Sequence, residues 1–273
     1  MNSTTIDPKE HAFLYDLYIV PEWREAFDSI VDDELKLPEE GKFLDAECGT
    51  GGYAIELAIK GGAKVEVVGV DSSPERLVLA RGKAEIKKLD RVSFRQGSLI
   101  ALGLPDNMFD LVIADASMLP ANQIADAYGE LARVAKKGAT IALKLTTRGS
   151  FDEFFSIYWE TLYELKLTEY TQQIEDLINE RLTVTEAENL AEKAGFKQVC
   201  SVTRKERFDY SDAITFFDAP LIKTIFWDSW LAILPDQETR QRVQQQMANI
   251  IDRERHNMDF DISIKATLVI GRK

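Results

Sequence analysis

A glycine-rich turn and an acidic residue carry the strongest chemical signal in this chain. The turn FLDAECGTGG spans residues 43–52 and contains Gly49 and Gly51, which let the backbone approach a ligand closely. Asp71 stands about 20 residues beyond Gly51, at the end of the next apolar segment, where a carboxylate can accept both hydroxyls of a ribose. Together they predict a nucleoside-binding site, the alternative being an ordinary strand-to-helix turn with Asp71 as a helix cap.

Two acidic residues within the turn decide between two classes of nucleoside ligand. A dinucleotide site has the spacing G-x-G-x-x-G, which seats a pyrophosphate on the helix end, but here Glu47 stands at the first glycine position. Negative charge from Asp45 and Glu47 repels a pyrophosphate and attracts a ligand that carries an ammonium and a sulfonium. The turn therefore favours S-adenosyl-L-methionine, and a nicotinamide-dependent oxidoreductase is the less favoured alternative.

Short apolar runs alternate with amphipathic stretches from residue 42 to residue 145, a pattern typical of βαβ units on a parallel sheet. Residues 65–70 are a continuous β-branched run, which indicates a strand buried on both faces. The five residues from Asp71 to Glu75 begin a helix with capping side chains and with Pro74 in its first turn. The predicted strands are 42–46, 65–70, 92–96, 109–114 and 140–145, and the predicted helices are 52–60, one from Pro74, and 124–135.

The pattern changes after residue 146, where aromatic residues become frequent. Two interpretations of these aromatic residues stay open, an apolar ligand pocket and plain core packing. They are Phe151, Phe154, Phe155, Tyr158, Trp159, Phe216, Phe217, Phe226, Trp227 and Trp230. The elements predicted in this part are an aromatic-rich helical stretch at 150–180, a helix at 186–194, a helical insert at 211–255, and two strands with the alternation of antiparallel edge strands at 196–207 and 261–270.

Several motifs between residues 40 and 146 form a consistent set. The first is D-x-x-C-G-T-G at 45–51 and the second is V-D-S-S at 70–73. The others are QGSL at 96–99, LP at 104–105, FDLVIA at 109–114 and LARVAKKG at 131–138. This set resembles the class I S-adenosylmethionine-dependent methyltransferases, most closely the small-molecule methyltransferases (type 11) of ubiquinone and menaquinone biosynthesis.

The resemblance and the alternating pattern together predict an α/β, Rossmann-like fold. Its sheet has seven mostly parallel strands, the last one antiparallel, with helices on both faces and a helical cap insert. The predicted segments are an N-terminal helical arm or lid (1–40), a cofactor-binding core (41–148), helices and a sixth strand that complete the core (149–208), the cap insert (209–258) and the final antiparallel strand (259–273).

The resemblance implies a set of cofactor-binding residues. Asp71 would bind the ribose hydroxyls, Ser98 and Leu99 would face the adenine, and backbone at 47–49 would hold the methionine end. Two positions depart from the family pattern, since Glu47 stands where glycine is usual and Ser98 where an aspartate is frequent. The Glu47 side chain would either crowd the cofactor or bind its ammonium. The full predicted set is Tyr15, Asp45, Glu47, Cys48, Gly49, Gly51, Asp71, Ser72, Ser98, Leu99 and Asp115.

Methyl transfer depends on alignment of the nucleophile in a water-poor site more than on an acid–base pair. Asp115, after the fourth strand, is the candidate for orienting or deprotonating an acceptor. Tyr15 and Tyr18, three residues apart, are predicted to share a helix face. Either one of them covers the cofactor, with Tyr18 as a second catalytic candidate, or both simply pack. The expected reaction is methyl transfer to a small, lipophilic or aromatic acceptor, which leaves S-adenosyl-L-homocysteine.

Two further functions of the same fold stay open. The first is a non-catalytic sensor or scaffold that binds S-adenosylmethionine, given the departures at Glu47 and Ser98. The second is a carrier-protein acyl O-methyltransferase, which would need a basic docking patch for an acidic carrier. That patch would consist of Lys197, Arg204, Lys205 and Arg207. An exposed aromatic face on the insert would equally serve a homodimer.

Composition excludes several other classes. The chain has 273 residues, 33 of them basic and 46 acidic, and the net charge of −13 argues against nucleic-acid partners. With His11 and His256 as the only histidines, zinc sites and Ser-His-Asp or Cys-His catalysis lack residues, so no metal is predicted. No apolar run approaches the roughly 20 residues of a membrane span. Two cysteines and an N-terminus without a secretory pattern predict a cytoplasmic protein.

Overall fold

The computed structural model describes residues 7–254 and 260–273. His256, residues 1–6 of the predicted arm and residues 255–258 of the predicted cap lie outside the described residues. The chain divides into two compact units. The first unit comprises Met1–Thr146, Thr183–Thr203 and Ala266–Lys273, and the second comprises Thr147–Leu182 and Arg204–Lys265.

Seven strands of the described residues form one sheet. The strands are β1 (Gly41–Ala46), β2 (Val65–Asp71), β3 (Val92–Gln96), β4 (Phe109–Asp115), β5 (Ala135–Thr147), β6 (Lys197–Tyr210) and β7 (Phe260–Arg272). Their order in the sheet is β3-β2-β1-β4-β5-β7-β6. Four pairs, β1 with β2 and β4, β2 with β3, and β4 with β5, are parallel, as the alternating pattern predicts. The strand order reverses between β1 and β4, and open α/β sheets bind ligands at such a switch point.

The predicted fold class is confirmed, with six parallel strands and an antiparallel last strand. The end of β7 meets the beginning of β5, because the Gly138 N–H donates to the Lys273 carbonyl and the Lys273 N–H donates to the Ala139 carbonyl. The predicted edge position of residues 261–270 is wrong, since β7 lies between β5 and β6. Most of its side chains are buried, and a run such as ATLVI at 266–270 suits an interior strand.

The helices of the first unit flank the strands that they connect. They are α1 (Pro8–Leu14), a π-helical segment (Tyr15–Arg24), α2 (Glu25–Glu34), α3 (Gly52–Gly61), α4 (Pro74–Ile86), α5 (Ile124–Val134) and, after the second unit's first segment, α8 (Val184–Lys193). Ser73 caps α4, because its hydroxyl accepts the Arg76 N–H, and Pro74 lies in the first turn as predicted. Thr183 and Glu186 form a capping box at the start of α8.

The π-helical segment changes which N-terminal side chains face inward. The Glu25 N–H donates to the Val20 carbonyl five residues earlier, and Pro21 inside the segment has no N–H for the usual ladder. Tyr15 is 4% exposed whereas Tyr18 is 37% exposed. The predicted shared face of Tyr15 and Tyr18 is therefore wrong, because the wider winding rotates residues three apart away from each other.

An aromatic core fills the second unit. The rings of Phe154 and Trp230 stack with centroids 4.1 Å apart, and Trp230 also stacks on Phe226 at 5.2 Å. Phe151, Phe154 and Phe216 are fully buried. Of the two interpretations of the aromatic residues, these contacts support core packing.

The α-helices of this unit range from 5 to 18 residues in length. They are α6 (Asp152–Glu164), α7 (Thr171–Asn179), α9 (Ala213–Asp218), a π-helical turn (Ile222–Phe226), α10 (Trp227–Leu231) and α11 (Gln237–Glu254). The predicted stretch at 150–180 is two α-helices rather than one, and the left-handed Lys166 follows the first of them. None of the helices in residues 7–254 has the combined length and apolarity to cross a bilayer.

Candidate active site

A cavity of about 290 Å³ opens at the carboxyl ends of β1 to β4, within the first unit. Its walls come from the residues that end or follow these strands, and its cover comes from the π-helical segment. This is the position at which a doubly wound sheet binds its ligand. The lining residues are Tyr15, Trp23, Arg24, Glu47, Ser72, Arg76, Ser98, Leu99, Ile100, Asp115, Ser117, Met118, Leu119 and Gln123.

The glycine-rich turn is packed too closely for larger residues at two positions. A Cβ on Gly51 would lie 2.7 Å from both the Ala80 Cβ and the Phe94 ring. Gly51 also has φ 78°, a left-handed conformation that glycine adopts without strain. A Cβ on Gly49 would lie 3.0 Å from the Tyr15 ring, so the π-helical segment rests directly on the turn.

Asp71 holds the turn and the start of α4 together. Its carboxylate accepts the Gly49 N–H at 2.8 Å and the Ser73 N–H at 2.9 Å, and it pairs with the Arg76 guanidinium at 2.9 Å. The side chain is 1% exposed and does not line the cavity. Arg76 lies between Asp71 and the cavity and also covers the Tyr15 ring at 4.7 Å.

Glu47 points into the cavity from the turn. Its backbone is left-handed, with φ 57°, and its carboxylate accepts the Leu99 N–H at 3.2 Å. Burial and the nearby Asp71 carboxylate together raise the pKa of Glu47 to about 7, against the opposing effect of Arg76. The Glu47 side chain therefore lies against the loop after β3, beside Ser98.

Arg24 brings a positive charge to the cavity and is 6% exposed. Its Nη1 donates to the Tyr15 hydroxyl at 3.1 Å, and its Nη2 lies 3.5 Å from Asp115 Oδ2. Burial opposes the charge on Arg24, yet the pKa of Arg24 stays well above its ordinary value because Tyr15, Asp115 and Asp28 face it. Arg24 Nη2 and Asp115 Oδ2 have no hydrogen-bond partner among the described residues.

Asp115 ends β4 and is buried among hydrogen-bond donors and cations. Its Oδ1 accepts the Ser117 N–H at 2.9 Å and the Ser117 hydroxyl at 2.5 Å, while Trp23 Nε1 donates to that hydroxyl at 2.8 Å. Burial alone would raise the pKa of Asp115, but Arg24, Lys144 and the two Ser117 hydrogen bonds outweigh it and lower the pKa. A carboxylate with a lowered pKa is a weak base and a strong hydrogen-bond acceptor.

A second layer of buried charge lies behind the cavity. Lys144 on β5 is completely buried, and its ammonium lies 2.6 Å from Asp28 of α2 and 3.6 Å from Asp115. Asp45 at the end of β1 is also completely buried, and both of its carboxylate oxygens are unpartnered among the described residues. Burial raises the pKa of Asp45 to about 7, although Lys144 and Arg24 lower it. This pattern of charges suits a ligand that carries both a cation and an anion.

The structure divides the predicted site residues into two groups. Six line the cavity, and five are buried beneath or beside it in the turn and strand ends. Tyr18, predicted as a catalytic candidate, lines no part of the cavity. The six are Tyr15, Glu47, Ser72, Ser98, Leu99 and Asp115, and the five are Asp45, Cys48, Gly49, Gly51 and Asp71.

Several residues of the site were not predicted from the sequence. Lys144 could have been predicted, because it interrupts the apolar run TIALKL at 140–145 and a lysine buried in such a strand needs a partner of opposite charge. No sequence pattern indicates that Arg24 and Trp23 belong to the site, since their approach to the turn depends on the π-helical winding. Arg76 and Ser117 follow predicted site residues at short spacing and could have been found from it.

Several known proteins similar to this chain are named methyltransferases. A family model described as a methyltransferase domain matches residues 37–195. Demethylmenaquinone methyltransferase of Lactiplantibacillus plantarum is 35% identical over 116 residues, which are 42% of this chain and 49% of that protein. The match thus spans about half the length of this relative.

Solved structures show the same fold at low sequence identity. The YcgJ protein of Bacillus subtilis has a TM-score of 0.57 at 19% identity, covering 91% of this chain and 98% of that chain. Phosphoethanolamine N-methyltransferase 2 of Haemonchus contortus, solved with phosphomonomethylethanolamine and S-adenosylhomocysteine, has a TM-score of 0.56 at 17% identity and covers 99% of this chain and 59% of that one. Because the family match covers more than half of the sequence, this chain belongs to the family of methyltransferase domains.

Proposed function

We propose that the chain transfers a methyl group from S-adenosylmethionine to a small, lipophilic or aromatic acceptor. The observation that carries this proposal is the cavity at the strand ends, where buried polar atoms of both signs lack a hydrogen bond within the described residues, although Arg24 Nη2 and Asp115 Oδ2 form a loose ion pair at 3.5 Å. Arg24 Nη2 and Asp115 Oδ2 have no hydrogen-bond partner among the described residues, and neither oxygen of Asp45 has one. Unpartnered buried groups are costly, so their presence indicates a ligand that satisfies them.

The residues around the cavity fit this cofactor. Arg24 would hold its carboxylate, and Asp45 with Asp115 would balance its ammonium and sulfonium charges. Asp71 would hold the ribose hydroxyls, as a carboxylate after the second strand does in nucleoside sites. Ser98 and Leu99 would face the purine.

The residues of the chain support the reaction mainly by positioning. When bound, S-adenosylmethionine supplies an electrophilic methyl group on a positively charged sulfur. Trp23 and Tyr15 cover the cavity and exclude water, which strengthens the electrostatic interactions inside. Asp115 orients a hydroxyl or amine of the acceptor by accepting its hydrogen bond, and its lowered pKa makes it a poor proton acceptor. Alignment of the acceptor is thus the main contribution that we expect from the protein.

The acceptor class is inferred from the other end of the cavity. Trp23, Met118 and Leu119 provide apolar walls, and Ser117 and Gln123 provide polar groups. A flat, apolar molecule with one or two polar atoms fits such a lining. The name of the Lactiplantibacillus plantarum relative, demethylmenaquinone methyltransferase, supports an acceptor of the quinone type.

Calorimetric titration tests the cofactor assignment. We expect micromolar binding of S-adenosylmethionine and S-adenosylhomocysteine, no binding of NADH, and a loss of about tenfold or more in Asp71→Asn. Asp90→Asn is the matched control, because Asp90 is an exposed aspartate outside the cavity. Equal binding by Asp71→Asn and wild type, with both folded, would contradict the assigned site.

A second candidate function is binding without turnover. The Glu47 carboxylate inside the cavity favours it, since this side chain takes space and charge at the cofactor end. Labelled methyl transfer to a panel of hydroquinones, phenols and aromatic amines separates the two. Cofactor binding with no transfer to any member of the panel would support the non-catalytic alternative.

A further inference from the structure

We propose that Glu47 is an internal ligand of the cavity, whose carboxylate occupies the place of the purine and is displaced when the cofactor binds. The inference rests on the proposed function, because it assumes a nucleoside in this cavity. It makes Glu47 the residue that sets the affinity of the site for its adenosine part. The Glu47 side chain reaches from the turn to the loop after β3, where it accepts the Leu99 N–H.

The resemblance to the methyltransferases implies the position of the purine. A carboxylate at the end of the second strand binds the ribose, and Ser98 and Leu99 in the loop after the third strand would face the base. In this structure that space is walled by Ser72 and by residues 98–100. Leu99 and Ile100 offer apolar surface for a flat ring, and the Leu99 N–H offers a donor for a ring nitrogen.

The Glu47 carboxylate already accepts the hydrogen bond of the Leu99 N–H. Its Oε1 accepts the Leu99 N–H at 3.2 Å, so a purine that uses this N–H must first remove the carboxylate. The carboxylate that would bind the ribose is also occupied by a side chain of the same protein, because Arg76 pairs with Asp71 at 2.9 Å. Both groups that a nucleoside would use are thus already satisfied by side chains of the chain itself.

The Glu47 contact is poorly stabilised, which makes it displaceable. The left-handed backbone at φ 57° is strained for a residue with a Cβ. The carboxylate faces Asp71 of β2, whose charge opposes its own, while Arg76 of α4, the Leu99 N–H and Arg24 of the π-helical segment favour its charge. Burial and the Asp71 charge raise the pKa of Glu47 to about 7, as expected for a carboxylate in an unfavourable place.

Two variants separate the side chain from its charge. Glu47→Gly removes the carboxylate and keeps a residue that accepts the left-handed backbone, and Glu47→Gln keeps the length and the acceptor oxygen without the charge. We expect Glu47→Gly to bind S-adenosylhomocysteine and adenosine about tenfold more tightly than wild type by calorimetry, the equivalent of about 1.4 kcal/mol. Glu47→Gln should gain less, and binding of L-methionine, which has no purine, should not change.

The controls address backbone and charge separately. Lys88→Gly replaces another left-handed residue, with φ 54°, at an exposed position outside the cavity. Glu85→Gln removes an exposed carboxylate of α4. Neither control should change the affinity for S-adenosylhomocysteine or adenosine, and circular dichroism establishes that each variant is folded.

The outcomes distinguish this inference from the proposed function. Tighter binding of both purine probes by Glu47→Gly supports it, and so does binding by Glu47→Gly where the wild type shows none. Wild-type binding that is unchanged or weaker in Glu47→Gly overturns it, because Glu47 would then be a bystander or a purine ligand. Absence of binding by folded wild type and folded Glu47→Gly overturns the proposed cofactor as well.

Discussion

The two units of the chain both bury aromatic rings but differ in buried charge. The first unit contains the buried charged residues of the described chain, which are Arg24, Asp45, Asp71, Asp115 and Lys144. The second unit buries aromatic rings, with Phe151, Phe154 and Phe216 fully inside. Burial of apolar area explains the second arrangement without any ligand.

The charges of the first unit have no such explanation. A buried ion pair recovers its desolvation cost only with good geometry, and an unpaired carboxyl does not recover it at all. Asp45 has two oxygens without a partner among the described residues, and the Arg24–Asp115 pair is loose at 3.5 Å. We conclude that the buried charges lower the free energy of unfolding of the first unit in exchange for a polar binding site. The apolar packing of the second unit carries no such cost.

The largest expected effect concerns Asp45. Its pKa is about 7 in the folded chain and ordinarily 3.8, so the folded state binds the proton more tightly than the unfolded state. The stabilisation is complete below about pH 4 and is lost as the pH rises toward 7. At about 1.36 kcal/mol per pH unit the loss is about 4 kcal/mol. Asp45→Asn should remove this contribution and leave that of Glu47, whose pKa is also raised to about 7.

Hydrogen exchange of the β1 and β4 amides from pH 4 to pH 7, corrected for intrinsic rates, measures this difference. Asp90→Asn, at an exposed aspartate of the same unit, should keep the wild-type slope. If Asp45→Asn kept that slope too, Asp45 would not be the buried charge that the comparison requires.

The aromatic core should respond differently. Phe154 contacts Phe155, Tyr158, Phe216 and Trp230, so Phe154→Ala leaves a cavity and costs about 3 kcal/mol. Because no charge is involved, the cost should be equal at pH 5 and pH 7. Exchange of the α6 amides measures it, and a strong pH dependence of the Phe154→Ala effect would break the distinction between the units.

The sequence was sufficient where local chemistry decides the structure. The turn around Gly51 and the capped helix after Ser73 depend on neighbours in the chain, and the parallel pairing follows from βαβ connections. The shared face of Tyr15 and Tyr18 was predicted wrongly, because the prediction assumed α-helical periodicity whereas the segment around Pro21 is π-helical.

Ion pairs between residues far apart in the chain could not be predicted from the sequence either. Arg24 meets Asp115 across 91 positions of the chain, and Lys144 meets Asp28 across 116. Such contacts depend on how the N-terminal segment folds over the strand ends, and no short motif encodes this. The acidic residue Glu47 was visible as a departure from the family, but its contact with Leu99 appears only in the folded chain.

The smallest expected effect extends the comparison to the backbone. Glu47 in the first unit and Lys166 in the second are both left-handed, with φ 57° and φ 59°. Replacing either with glycine should stabilise its own unit by about 1 kcal/mol, because the Cβ strain is relieved at some cost in unfolded-state entropy. Measuring at pH 4, below the ordinary pKa of 4.5, keeps Glu47 largely protonated in both the folded and the unfolded chain and so removes most of the contribution of its charge.

Ligand binding then separates the two variants. Lys166 follows α6 at an exposed position, where glycine is the ordinary helix stop, so Lys166→Gly should leave S-adenosylhomocysteine affinity unchanged. Glu47→Gly should gain stability and affinity together, since the same side chain strains the turn and occupies the cavity. A gain in stability without a gain in affinity would mean that the strain at Glu47 is unrelated to the ligand, and the first unit would then differ from the second only in its buried charges.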